Sequence, residues 1–145
     1  MIALHLLGAA LALGAPGLKD PPKRVQSVVG VWVAESFTFA GKPRPPGSRP
    51  IRYEFTADGK WYSYRGERKT AMERTYFTNP KADPPQIDLN YDPAEQEAPI
   101  GRGIFKVEGD TLTLCFVRNN GTRPTTFEST GEPPALLYVL KRVKE

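Results

Sequence analysis

Between Ile51 and Thr56 the chain alternates, with Ile51, Tyr53 and Phe55 apolar against Arg52, Glu54 and Thr56. Period-2 alternation is the signature of a strand with one face buried. Asp58-Gly59 follows, a strong short hairpin signal, and Trp61–Tyr64 returns. A two-residue loop at Asp58-Gly59 sets Phe55 opposite Tyr62 and Tyr53 opposite Tyr64. Those four aromatic residues then share one face, and Arg52, Glu54 and Ser63 share the other.

GIFKVEGDTLTLC, residues 103–115, gives a second hairpin. With the loop at Gly109-Asp110, Val107 faces Leu112, Phe105 faces Leu114 and Ile104 faces Cys115. Phe105, Val107, Leu112, Leu114 and Phe116 fall on the core face, and Cys115 falls on the other with Lys106 and Thr113. Further strands are predicted at Val28–Phe39, Met72–Thr78, Gln86–Tyr91 and Ala135–Val143, separated by loops rich in Pro, Gly, Asn and Asp. About eight short strands with no long amphipathic helix predict an all-β, antiparallel, eight-stranded barrel, one domain over 28–145. Such a barrel has room for filling side chains or one small ligand.

The first residues, MIALHLLGAALALGAPG, are a different pattern. Ile2–Leu13 is almost wholly apolar but shorter than the roughly 20 residues of a spanning helix. Small residues follow it. This predicts a secretory signal peptide over 1–15, a linker over 16–27, a processed chain starting near Pro16, and an exported protein with no membrane anchor. The n-region lacks Lys and Arg, and the alternative is a buried or frayed N-terminal helix.

Cysteine and histidine usage narrows the chemistry. Cys115 is the only cysteine and His5, inside the leader, the only histidine. One cysteine makes no internal disulfide. Without imidazole, Cys–His and Ser–His–Asp nucleophiles and a Cys/His zinc site all lack a component. The expectation is a non-enzyme with no cofactor and no metal. Cys115 is read as a small residue packed beneath a neighbouring segment rather than as a reactive thiol. Asp88, Asp92, Glu95 and Glu97 lack calcium-loop spacing and receive no catalytic role.

Gly30-Val31-Trp32 on the first strand and Leu140-Lys141-Arg142 on the last resemble the G-x-W signature and closing arginine of lipocalins. The resemblance implies that Arg142 packs over Trp32 at one end of the barrel. Residues 28–142 further resemble an uncharacterised lipocalin-like domain family abundant in planctomycete bacteria, through GIFKVEGDTLTLC, Arg123-Pro124-Thr125-Thr126-Phe127, LYVLKR and Pro85-Gln86-Ile87-Asp88-Leu89. The Pro-rich loop at 40–50 departs from it. That resemblance implies a fold and no particular activity.

Tyr53, Phe55, Tyr62, Tyr64, Phe105, Leu112, Leu114 and Tyr138 are the candidate ligand-binding residues, with Phe116 beside them. They line a ligand cavity or fill a solid core. The net charge is +4, with nine basic and four acidic side chains between Lys42 and Arg74. Beside Trp61, Tyr62 and Tyr64 this basic stretch has the ingredients of a single-strand nucleic-acid surface. Export, the modest charge and eight strands instead favour a solvated outer wall and no nucleic-acid partner. The expected function is monomeric, non-enzymatic binding of a small, partly apolar molecule. The alternative is a structural or protein-interaction module using the basic outer face or the Pro-rich loop.

Overall fold

The computed structural model describes residues 26–44, 51–65, 68–69, 74–90, 100–118, 121–132 and 134–144. The expected leader, most of the expected linker, and Asp92, Glu95 and Glu97 lie outside them. The strands are β1 (Gly30–Phe39), β2 (Lys42–Arg44), β3 (Ile51–Phe55), β4 (Lys60–Arg65), β5 (Arg68–Lys69), β6 (Arg74–Asn79), β7 (Gln86–Asn90), β8 (Ile100–Glu108), β9 (Thr111–Val117) and β10 (Ala135–Arg142). The described residues contain no helix. All pairings are antiparallel, in the order β10-β9-β8-β7-β6-β4-β3-β1, and a β10–β1 pairing closes the ring. The protein is therefore an eight-stranded antiparallel closed barrel, as in lipocalin-like folds, with β2 and β5 as short additions.

The two hairpins differ in how they meet the expected register. In β8–β9 the expected pairs Val107–Leu112, Phe105–Leu114 and Ile104–Cys115 all form. In β3–β4 the register is displaced by one residue, so that Tyr53 faces Ser63, Glu54 faces Tyr62 and Phe55 faces Trp61. The cause is the turn. Thr56 N–H donates to Lys60 O at 2.8 Å, leaving a three-residue loop of Ala57, Asp58 and Gly59. Gly59 takes φ 86°, the left-handed bulge position of such loops. The Thr56 hydroxyl donates to Asp58 and accepts from Lys60 N–H, which fixes the loop. Trp61 consequently enters the core, and Tyr62 and Tyr64 point outward. Tyr64 donates its hydroxyl to Glu54 at 3.0 Å on the outer wall.

A bulge at Glu35 shapes β1. Ala34 pairs with Leu140 and Ser36 with Val139, so Glu35 is the extra residue. Alternation from Trp32 alone would turn Phe37 and Phe39 outward; the bulge turns them in, against Tyr138 and Leu136. It also marks where β1 changes partner. β3 pairs with Gly30–Val33, and beyond the bulge β2 pairs with Phe37–Phe39. The β4–β6 seam is similarly half-paired, at Lys60–Thr75 and Trp61–Arg74, while the rest of β4 takes β5. Both short seams are joined toward one end, which Val28 and Trp32 close. Toward the other, the flared end, the described parts of β1 and β3 and of β4 and β6 no longer pair with each other.

Candidate functional site

At the closed end, Trp32 is fully buried, donating its indole N–H to Val28 O at 2.8 Å. The Arg142 guanidinium lies 4.2 Å from the Trp32 ring centroid and donates to Val29 O at 3.2 Å. The expected stack is present. Its glycine has a physical reason: Gly30 has φ 139°, and a Cβ there would lie 2.7 Å from Arg142 Nη1. The space that glycine leaves open is the seat of the guanidinium. Asp110, in the β8–β9 turn, faces Arg142 Nε at 3.7 Å and Lys144 Nζ at 2.9 Å. The Lys144 ammonium, then the neighbouring Arg142 and Lys141, hold the Asp110 carboxyl below its usual range.

Aromatic side chains pack together in the middle of the lumen. Phe55 stacks on Trp61 with centroids 6.4 Å apart and meets Tyr76 edge-on at 5.1 Å. Tyr53 meets Trp61 at 5.8 Å and Tyr138 at 5.4 Å. Leu112, Leu114, Phe105 and Phe116 complete this core. Tyr76 donates its hydroxyl to Thr56 O at 2.7 Å, and burial pushes its phenol above the usual range. Of the residues expected to contact a ligand, Tyr53, Phe55, Phe105, Leu112, Leu114 and Tyr138 face this packed interior. Tyr62 and Tyr64 do not, for the register reason above.

Space opens at the flared end. A cavity of about 430 Å³, open to solvent, is lined by Phe37, Phe39, Arg44, Arg118 and Leu136. Its floor continues into the core, because Phe37 stacks on Tyr138 at 4.6 Å and Tyr138 on Phe116 at 5.9 Å. None of the eight sequence candidates lines it; they lie below it or outside the barrel. The sequence reading missed Phe37 and Phe39 because the Glu35 bulge reverses their side. It missed Arg44 because the Lys42-Pro43-Arg44 segment reads as a loop. Arg118 was recoverable by counting, two residues beyond lumenal Phe116 in β9.

The outer face carries a strap, residues 121–132, over the wall. Arg123 Nη1 donates to Gly103 O at 2.8 Å and Ile87 O at 3.2 Å, and its Nη2 lies 2.7 Å from Asp88 Oδ1. The strap covers Cys115, which packs with Ile104, Val117 and Ala135 and against Phe127. Its thiol donates to Glu128 O at 3.6 Å. Burial raises the thiol to about 11, against which the Glu128 carbonyl is the lesser effect. Cys115 is thus protonated and covered, as the sequence suggested. A second cavity of about 290 Å³ lies along the strap, lined by Val117, Ala135 and residues including Thr125, Thr126 and Glu128. Among the described residues no three of His, Cys, Asp and Glu gather into a metal-binding group. Comparison of the chain with known protein families, curated proteins and solved structures returns no match.

Proposed function

We propose that this barrel binds a small, partly apolar molecule at its flared end and performs no chemistry on it. The open cavity above an aromatic floor is the observation that supports this. Its size lies within the range of small-molecule sites, and apolar lining with a few polar groups is their usual character. The closed end, sealed by Trp32 and Arg142, serves as the structural base. On this reading the lipocalin-like resemblance describes the scaffold, and the planctomycete family and export remain part of the proposal.

The test is native mass spectrometry of protein purified from its own host, beside a Leu136→Trp variant whose added indole fills the cavity. A retained mass in the wild type that is absent from the folded variant supports the reading. No retained mass, together with no thermal shift across a panel of apolar metabolites, refutes it. The interaction-module alternative, expected on the basic outer face or the Pro-rich loop, gains one observation: Phe77 is 65 % exposed on the outer wall opposite Asp88. Binding that survives Leu136→Trp but fails in Phe77→Ser would favour it.

A further inference from the structure

The cavity at the flared end lies at the end of a column of rings. Phe116 on β9, Tyr138 on β10 and Phe37 on β1 belong to consecutive neighbouring strands. Their rings are nearly parallel. Phe116 and Tyr138 lie 5.9 Å apart at 9°, and Tyr138 and Phe37 lie 4.6 Å apart at 16°. Phe37 and Tyr138 are direct partners in the β1–β10 register. Their separation is close to the spacing of paired strands, so the two rings face each other along the direction in which the strands pair.

Burial changes along the column. Phe116 is 2 % exposed and Tyr138 3 %, whereas Phe37 is half-buried and lines the cavity. Tyr138 covers one face of Phe37. The other face is turned away from Tyr138, toward β2, and among the described residues Tyr138 is the one ring partner of Phe37. The residue paired with Phe37 on β2 is Arg44, which is exposed and lines the same cavity. The column therefore ends in a ring face at the cavity, with an arginine side chain starting beside it. Phe39 and Leu136, paired across β1–β10, wall the space.

A ring face at the end of a stack favours another flat ring. Offset-stacked rings attract through their quadrupoles beyond the apolar area that they bury. An alkyl chain in the same place gains the area contribution alone. A guanidinium is planar and stacks on aromatic faces, so Arg44 can lie against such a ring from the β2 side.

We infer that the ligand carries a flat aromatic or conjugated ring system, which lies on Phe37 as the next member of the column. This deepens the proposed function and rests on it.

Isothermal titration of the full chain with 2-naphthol and decahydro-2-naphthol tests it. The two probes share a fused-ring carbon skeleton and a hydroxyl, and differ in flatness and in π electrons. 2-Naphthol should bind about three- to tenfold more tightly, although the saturated probe has no less apolar surface. Its ring protons should move upfield on binding to the wild type, as protons held over a ring face do. Phe37→Leu should remove the preference and leave decahydro-2-naphthol within about twofold. Phe37→Tyr should keep the preference, and Phe77→Leu on the outer wall should change neither affinity. A single cooperative melting transition establishes that each variant is folded. Equal affinity for the two probes in the wild type, or a preference that survives Phe37→Leu, overturns the inference and leaves the small-molecule reading standing. Binding of neither probe removes that reading and the inference with it. A preference lost in Phe77→Leu instead puts the ring on the outer wall and overturns the inference.

Discussion

The two ends of this barrel are built from similar residues with opposite results. Each has aromatic side chains facing inward and an arginine close to them. At the closed end Gly30 yields its side-chain space, Arg142 settles onto Trp32, and Val28 fills what remains. The connections there are short, at 56–59, 80–85 and 109–110. At the flared end β2 and β5 replace the pairing between barrel strands, and Phe37 and Phe39 are only half-buried. An arginine paired with an indole in a sealed site is an architectural element. The arginines at the rim of the open apolar cavity are exposed instead, with no such seat. The local packing, and not the residue types, separates the two.

The comparison predicts a steep gradient of mutational cost. Trp32→Ala should cause the largest loss, about 3–5 kcal/mol, measured by urea denaturation. Phe39→Ala, at the half-buried end, should lose less than half of that. Equal losses would break the distinction between base and mouth. Next comes the strap. Arg123→Ala removes donors from two backbone carbonyls and the partner of Asp88, and should cost about 1–2 kcal/mol. It should also speed modification of Cys115 by a disulfide reagent, which reads uncovering directly.

The Trp32–Arg142 stack should show a smaller, coupled effect. The single alanine variants should sum to about 1 kcal/mol more than the double variant loses, since the second change removes a contact already gone. Additive losses would mean that the guanidinium contributes only through Val29 O and Asp110. A finer prediction concerns pH. The Cys115 thiol titrates near 11 when folded against 9.0 for an unperturbed thiol. The unfolded chain therefore releases that proton first. The stabilising effect is complete below pH 9 and declines as pH rises toward 11. The stability difference between wild type and Cys115→Ala should narrow over that window. A constant difference would mean that the thiol is not sealed. Smallest of all, Arg44→Gln should shift stability by no more than about 0.5 kcal/mol, because its side chain is exposed.

Much of this architecture was legible in the sequence, and the unread parts have specific causes. Alternation located the eight barrel strands because each buries one face. The β8–β9 register was readable because a two-residue loop fixes it, with Gly109 at φ 59°. The β3–β4 register was not, because Asp58-Gly59 suits a two-residue loop and a three-residue bulged loop equally well. The two-residue choice puts Tyr62 and Tyr64 inside, and the three-residue loop puts Trp61 there instead. The chemistry of Trp61 was the neglected signal, since an indole buries more apolar surface and two phenols are readily satisfied outside. A bulge has no sequence marker at Glu35, so the inward turn of Phe37 and Phe39 was invisible. The mouth depended on that turn and on β2, whose Lys42-Pro43-Arg44 carries no alternation. The structural base was thus written in local motif, while the candidate site arises from irregularities of pairing.

The central claim is that the flared end is the binding end and the closed end only supports it. Backbone amide and indole shifts of ¹⁵N-labelled protein, followed during titration with 2-naphthol, test this most directly. The account predicts saturable shifts at Phe37, Phe39, Arg44, Arg118 and Leu136, with the Trp32 indole unmoved. Shifts centred on Trp32 and Arg142, or along the strap at Thr125, Thr126 and Glu128, would contradict it.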